Sequence, residues 1–169
     1  MKKLFTLCAL CTFFLALSAQ KYTKAVGVVA GMTNGISYKQ LNDHIAFQAD
    51  LGIGINYAPI GYGLAMDCWD FRLNPNLAYQ APITSGNQGT LAGFFGGGLS
   101  LGEVNSYLFN QCVGGVFGIN AIAGVEYAFS HSPLTFGFDF RPGYGLYFDA
   151  NDGISAFDWR LNICIRYCL

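Results

Sequence analysis

The segment from Phe157 to Leu169, FDWRLNICIRYCL, alternates without a break. Phe157, Trp159, Leu161, Ile163, Ile165, Tyr167 and Leu169 form one series, and Asp158, Arg160, Asn162, Cys164, Arg166 and Cys168 form the other. A period of two places the two series on opposite faces of a β-strand, and no helix sorts residues this way. The chain therefore ends in a strand with one wholly apolar face. Its other face is polar or small and carries three charges.

The same period recurs through most of the sequence, interrupted by short turn-forming stretches. Strands are predicted at 24–33, 36–41, 44–55, 60–71, 91–104, 115–129 and 134–148, with the closing strand last. Asn34-Gly35 reads as a two-residue hairpin turn. Asn42-Asp43, the NYAP stretch at 56–59, 105–114, SHSP at 130–133 and 149–153 read as further connections. The stretch 72–90 contains Pro75, Pro82, Gly86 and Gly89 and reads as a long loop. Eight sequential strands joined mainly by hairpins predict an all-β, antiparallel, up-and-down barrel.

Alternation alone does not say which face is outside. Two physical arguments turn the apolar face outward. An eight-stranded barrel is only wide enough to be filled by side chains, and rows of Phe, Trp, Tyr, Leu and Ile would overfill it. Gly, Ala, Ser and Asn fit. Charged residues make up only 11% of the chain, against 53% hydrophobic. A soluble exterior needs about 25–35% charge. A closed barrel with an apolar exterior suits a bilayer, because every backbone group is paired internally. Aromatic residues are 16% of the chain, and Tyr127, Phe129, Tyr144, Phe148, Trp159 and Tyr167 are candidates for interfacial girdles. The six-residue second strand, 36–41, is short for a span.

The first twenty residues follow a different pattern. Lys2 and Lys3 precede an apolar run from Leu4 to Leu17, then the small residues Ser18 and Ala19. This is the pattern of a secretory signal peptide, giving a division into a signal at 1–20 and a barrel at 21–169. Without Lys2 and Lys3, seven basic and ten acidic residues remain, a net charge of −3. That balance offers nothing to nucleic acid. Of the six cysteines, Cys68, Cys112, Cys164 and Cys168 lie beyond the signal. Cys164 and Cys168 are about 13 Å apart along one strand and do not pair with each other. No Cys/His spacing suits a metal, and no cofactor motif is present.

Four stretches carry a resemblance. GISYKQLNDHIAFQADLGIGI (35–55), GVEYAF (124–129), FDFRPGYGL (138–146) and IRYCL (165–169) resemble the small outer-membrane β-barrel proteins of Bacteroidota. Their architecture is similar to that of the OmpX and OmpA barrels. The resemblance covers most of the chain beyond the signal. It implies a transmembrane barrel in the outer membrane of a Gram-negative bacterium, surrounded by outer-membrane lipid, with both termini in the periplasm. It also implies that the last strand is read by the barrel-assembly machinery. Leu161, Ile163, Ile165 and Tyr167 match that alternating signal, and Leu169 departs from its usual terminal Phe. No catalytic residue is implied.

The charges predicted to face inward are Lys39, Asp50, Glu126, Asp139, Arg141, Asp158, Arg160 and Arg166. Four acidic and four basic groups in a narrow lumen predict a cross-linked polar plug, because an uncompensated buried charge is costly. Asp139 and Arg141, beside Asp158 and Arg160 on the next strand, form the foremost candidate cluster. Catalysis is not expected. His44 and His131 both fall in turns, and Ser130-His131-Ser132 cannot form a triad by adjacency. The Gly-rich GFFGGGLSLG (93–102) lacks the Lys and helix of a phosphate loop. The expected role is structural, in the envelope or at the cell surface. Within the same fold the alternative is a narrow passive channel. With the faces reversed it is a soluble, lipocalin-like barrel binding a small apolar ligand. An adhesin is disfavoured by the short external loops.

Overall fold

The computed structural model describes residues 22–56, 68–106, 112–148 and 153–169. The expected signal peptide, the first part of the strand expected at 60–71, and most of the connections expected at 105–114 and 149–153 lie outside these residues. Eight strands follow in order: β1 (Lys24–Gly31), β2 (Thr33–Asn42), β3 (Ile45–Asn56), β4 (Cys68–Gly86), β5 (Gly89–Ser106), β6 (Cys112–Phe129), β7 (Leu134–Phe148) and β8 (Gly153–Cys168). Each pairs antiparallel with its sequence neighbours, and β1 pairs with β8, so the sheet closes into a barrel. The described residues contain no helix.

The alternation sorts outside from inside. Phe136, Phe138, Phe140, Tyr144, Leu146 and Phe148 of β7 are exposed on the outer surface, as are Phe157, Leu161, Ile163, Ile165, Tyr167 and Leu169 at the C-terminal end. Ile36, Ile53, Leu77, Phe95 and Ile119 continue the apolar surface around the barrel. Polar residues fill the centre. Arg72, Arg166, Lys39, Gln48, Gln80 and Glu126 are among the largest fully buried side chains. Buried apolar residues are few. Tyr22, Ala25, Leu41 and Ala46 form one small cluster at the end that carries both termini. Ala78, Phe94 and Ile122 form another.

Two sequence expectations are corrected. The stretch 72–90 is not a loop. Cys68–Gly86 is one long strand, and only Asn87 and Gln88 separate it from β5. β3 pairs with 68–79 rather than with the expected 60–71, so the longest interval between strands falls between Asn56 and Cys68, at the opposite end of the barrel from Gly86. The prolines fit because of where they fall. Pro75 pairs with Ala49 of β3 and sits in a gap in the β4–β5 ladder, and Pro82 adjoins a bulge at Ile83. A proline removes a ladder donor and so belongs at such irregularities.

The second correction concerns Asn34-Gly35. The β1–β2 turn is instead at Met32, and Asn34 and Gly35 lie inside β2, which at ten residues is longer than expected. Gly31 supplies the turn conformation with φ of 137°. The Asn34 side chain braces it: Gly31 N donates to Oδ1 (3.2 Å), and Nδ2 donates to the Gly31 carbonyl (2.9 Å). A Cβ on Gly35 would strike the Leu51 carbonyl oxygen, so this glycine serves close strand approach. The turn expected at Asn42-Asp43 lies one residue on, at Asp43 and His44, with Asp43 at φ 52°.

The two ends of the barrel differ. At one end lie Tyr22, Leu169 and the turns at 43–44, 87–88 and 130–133. At the other lie the Met32 turn, Asn56 and Cys68, Ser106 and Cys112, and Phe148 and Gly153.

Candidate functional site

The lumen is where the chain concentrates its chemistry. Alternation aims every second residue of each strand at the axis, so charges far apart in sequence meet there. They form three tiers.

The tier nearest the termini centres on Glu126. Lys39 Nζ and Arg166 Nη1 reach its Oε2 at 3.1 and 2.8 Å. The Tyr22 hydroxyl and Gln80 Nε2 donate to its Oε1. Lys39 also lies 4.4 Å from the centre of the Phe94 ring, a cation–π contact. The Phe94 ring packs where a Cβ on Gly124 would otherwise sit. Tyr22 precedes β1. Burial, then the charge and hydrogen bond of Glu126, push its hydroxyl far above the ordinary phenol range, so it remains a donor.

The middle tier centres on Arg141. Its Nε and Nη2 donate to the two carboxylate oxygens of Asp139 at 2.8 and 2.7 Å, and Nη2 also reaches Asp50 at 2.6 Å. Asn162 Nδ2 donates to Asp139 (3.0 Å), and Gln48 Nε2 donates to Asp50 (2.9 Å). The buried Cys164 thiol donates to Asp139 Oδ2 at 3.6 Å. Both Cys164 and Cys168 are free thiols.

The third tier, toward the 57–67 end, centres on Asp158. Arg72 Nη1 and Arg160 Nη2 reach its Oδ2 at 2.7 and 3.2 Å. Arg72 Nη2 donates to the Tyr147 hydroxyl (3.1 Å), and Arg160 Nη1 donates to Thr33 (3.1 Å). Asp158 is partly exposed, at 17% of its side chain. Beside this tier Asn74, Asn76, Ser100 and Asn120 join through their side chains, Ser100 donating to Asn74 Oδ1 at 2.8 Å and Asn120 to Asn76 Oδ1 at 2.6 Å.

All eight charges expected inside therefore face the lumen, but their grouping differs from the expected cluster. Asp139 and Arg141 work with Asp50 across the lumen, whereas Asp158 and Arg160 work with Arg72. Arg72, Asn74, Asn76 and Gln80 also face the lumen, and the loop reading of 72–90 hides them. Their signal was present all along: Phe71, Leu73, Leu77 and Tyr79 alternate with them.

Among the described residues neither histidine is recorded against a nucleophile or a carboxylate. His44 Nδ1 lies 3.2 Å from the Gln80 carbonyl, and its ring stacks on Tyr79 with centroids 5.4 Å apart. His131 is exposed beside an open groove of about 380 Å³ bordered by Tyr22, Phe129 and Cys168. Among the described residues no His, Cys, Asp and Glu group is arranged to hold a metal ion. No family model, curated protein or solved structure matches the chain.

Proposed function

We propose that this protein is an outer-membrane barrel with a plugged polar lumen, serving a structural or cell-surface role without catalysis. The observation that carries the reading is the combination of surfaces. Large apolar side chains are exposed on all eight strands, while charge and amide groups are buried inside. In water that arrangement exposes far more contiguous apolar area than a soluble monomer tolerates. In lipid it is the favourable one.

The dimensions agree. From Phe157 to Tyr167 along β8, ~3.3 Å per residue at a tilt of ~40° gives a height of roughly 25 Å, the usual apolar band of such barrels. Aromatic residues mark both edges: Tyr127, Phe129 and Tyr167 toward the termini, and Tyr144, Phe148 and Phe157 toward the other end. The end with the termini has the short turns, which in these barrels face the periplasm. That orientation, the resemblance to small Bacteroidota barrels, and a C-terminal strand read by the assembly machinery through Leu161, Ile163, Ile165, Tyr167 and Leu169 belong to the same proposal.

The plug follows from the Glu126 tier and the apolar cluster of Tyr22, Ala25, Leu41 and Ala46 across the same end. A lipocalin-like interior would be apolar; this one is not.

The test is membrane fractionation followed by gel electrophoresis with and without boiling. The reading expects the protein in the outer-membrane fraction and a mobility that changes on heating. A protein recovered folded and monomeric in detergent-free buffer overturns it.

A further inference from the structure

The apolar exterior is not of even height. On β6 the outward series is Phe117, Ile119, Ala121, Ala123, Val125, Tyr127 and Phe129, with no charged or amide side chain in it. From Phe117 to Phe129, ~3.3 Å per residue at a tilt of ~40° gives roughly 30 Å along the barrel axis. β2 lies on the opposite wall of the closed barrel. Its outward series is Asn34, Ile36, Tyr38, Gln40 and Asn42. Asn34, Gln40 and Asn42 are exposed, so amide groups close in on Ile36 and Tyr38 from both ends. Even Tyr38 turns its hydroxyl toward one of these edges, donating to Gln40 Oε1 at 2.9 Å. On the same scale Asn34 and Gln40 are only roughly 15 Å apart along the axis.

β1 continues the narrowing. Its outward residues are Lys24, Val26, Val28 and Ala30, and the chain turns just beyond them at Met32. Lys24 pairs with Gln40 in the ladder, so an exposed cation and an exposed amide stand side by side at the edge nearer the termini. At the other edge Asn34 is held against Gly31, where it braces the turn. The ladder register fixes both edges, and no shift of a single side chain widens the band.

We propose that the β1–β2 wall is a lipid-headgroup contact surface beside which the bilayer is locally thinned. The inference rests on the reading of the protein as a membrane barrel. Headgroups and their water reach Asn34 from one side and Lys24 and Gln40 from the other. An apolar band shorter than the hydrocarbon core is met by thinning of the bilayer around it. The alternative leaves amides and an ammonium group in hydrocarbon, which is expensive. The phosphate and ester oxygens of a glycerophospholipid accept hydrogen bonds from Lys24 and Gln40, and they are the polar groups already present at that depth.

The test compares depth on the two walls. Cys68, Cys112, Cys164 and Cys168 are replaced by alanine, and a nitroxide is attached at Ile36→Cys or at Ala123→Cys, both exposed on the outer surface. In dioleoyl phosphatidylcholine vesicles, collision with oxygen and with a nickel chelate reports the depth of each label. The label at Ile36 is expected to lie about 5–10 Å closer to water than the label at Ala123, and the difference is expected to shrink in dilauroyl lipid. Equal depths overturn the proposal. So does a label at Ile36 shielded from both reagents, which would show protein rather than lipid against β2. Failure of the membrane reading itself has another signature: the Ala123 label then shows no oxygen-rich surroundings. Should the alanine background fail to fold, Gln40→Leu in the otherwise unchanged protein serves. It extends the apolar series of β2 and is expected to shift the acyl length of greatest stability toward longer chains, read by urea unfolding in vesicles. An unchanged optimum overturns the proposal.

Discussion

At the scale of single residues, the lumen depends on groups that have partners only inside the closed barrel. Glu126 accepts from Lys39, Arg166, Tyr22 and Gln80. Glu126→Gln leaves two buried cations facing a neutral amide and is expected to destabilise the barrel by about 3–5 kcal/mol, measured by denaturant unfolding in micelles. Arg141→Met strands Asp139 and Asp50 and is expected to cost a similar ~3 kcal/mol or more while leaving conductance in planar bilayers at the wild-type level. An unchanged melting temperature in Arg141→Met would show that the charges are not a structural network. Which residues face inward was legible from alternation alone, because parity within a strand fixes the face. Which carboxylate meets which cation was not. That depends on the stagger between strands across the lumen, and residues as distant as Tyr22 and Glu126 meet there.

At the scale of strands, β4 shows where a sequence pattern loses to tertiary context. Its prolines and glycines read as punctuation, yet the outward series Phe71, Leu73, Leu77 and Tyr79 and the inward series Arg72, Asn74, Asn76 and Gln80 keep the strand period. β3 pairs with it without a break, and β5 accepts it by leaving a gap at Pro75 and a bulge after Pro82. Hydrogen exchange provides the check: backbone amides from Arg72 to Tyr79 outside those irregularities are expected to exchange as slowly as those of β6, whereas a loop would exchange rapidly. Closure between β1 and β8 has its own requirement. A Cβ on Gly27 would run into the Ile165 carbonyl oxygen and the Arg166 Cα. Gly27→Val is therefore expected to abolish the compact, heat-sensitive band on gels, while Val28→Ile, on the exposed face one residue on, preserves it. The turn at Asn34-Gly35 was misplaced for a related reason: a glycine needed for close approach has the same letter as one needed for positive φ.

At the scale of the whole molecule, the fold class was the most legible feature, since an apolar face on nearly every strand and a small polar face opposite leave few architectures open. The sidedness of the long connection was not legible, because misreading one strand moved it to the wrong end. With the connection at 57–67, the termini and the short turns share one end. The reading as a plugged membrane barrel makes a prediction for the intact protein: reconstituted into planar bilayers, it gives no discrete current steps at ordinary voltages. Regular unitary steps would instead support a narrow channel.

The Glu126 tier has a consequence for how the chain reaches its final form. Its members come from positions 22, 39, 80, 126 and 166, separated by as many as 104 residues from their common acceptor. No single hairpin carries the set, so a partly assembled sheet presents lone ions along one face and an unpaired edge along each side. Hydrocarbon rejects both. Insertion of isolated hairpins is thus disfavoured, and the transition to the finished cylinder must be nearly concerted.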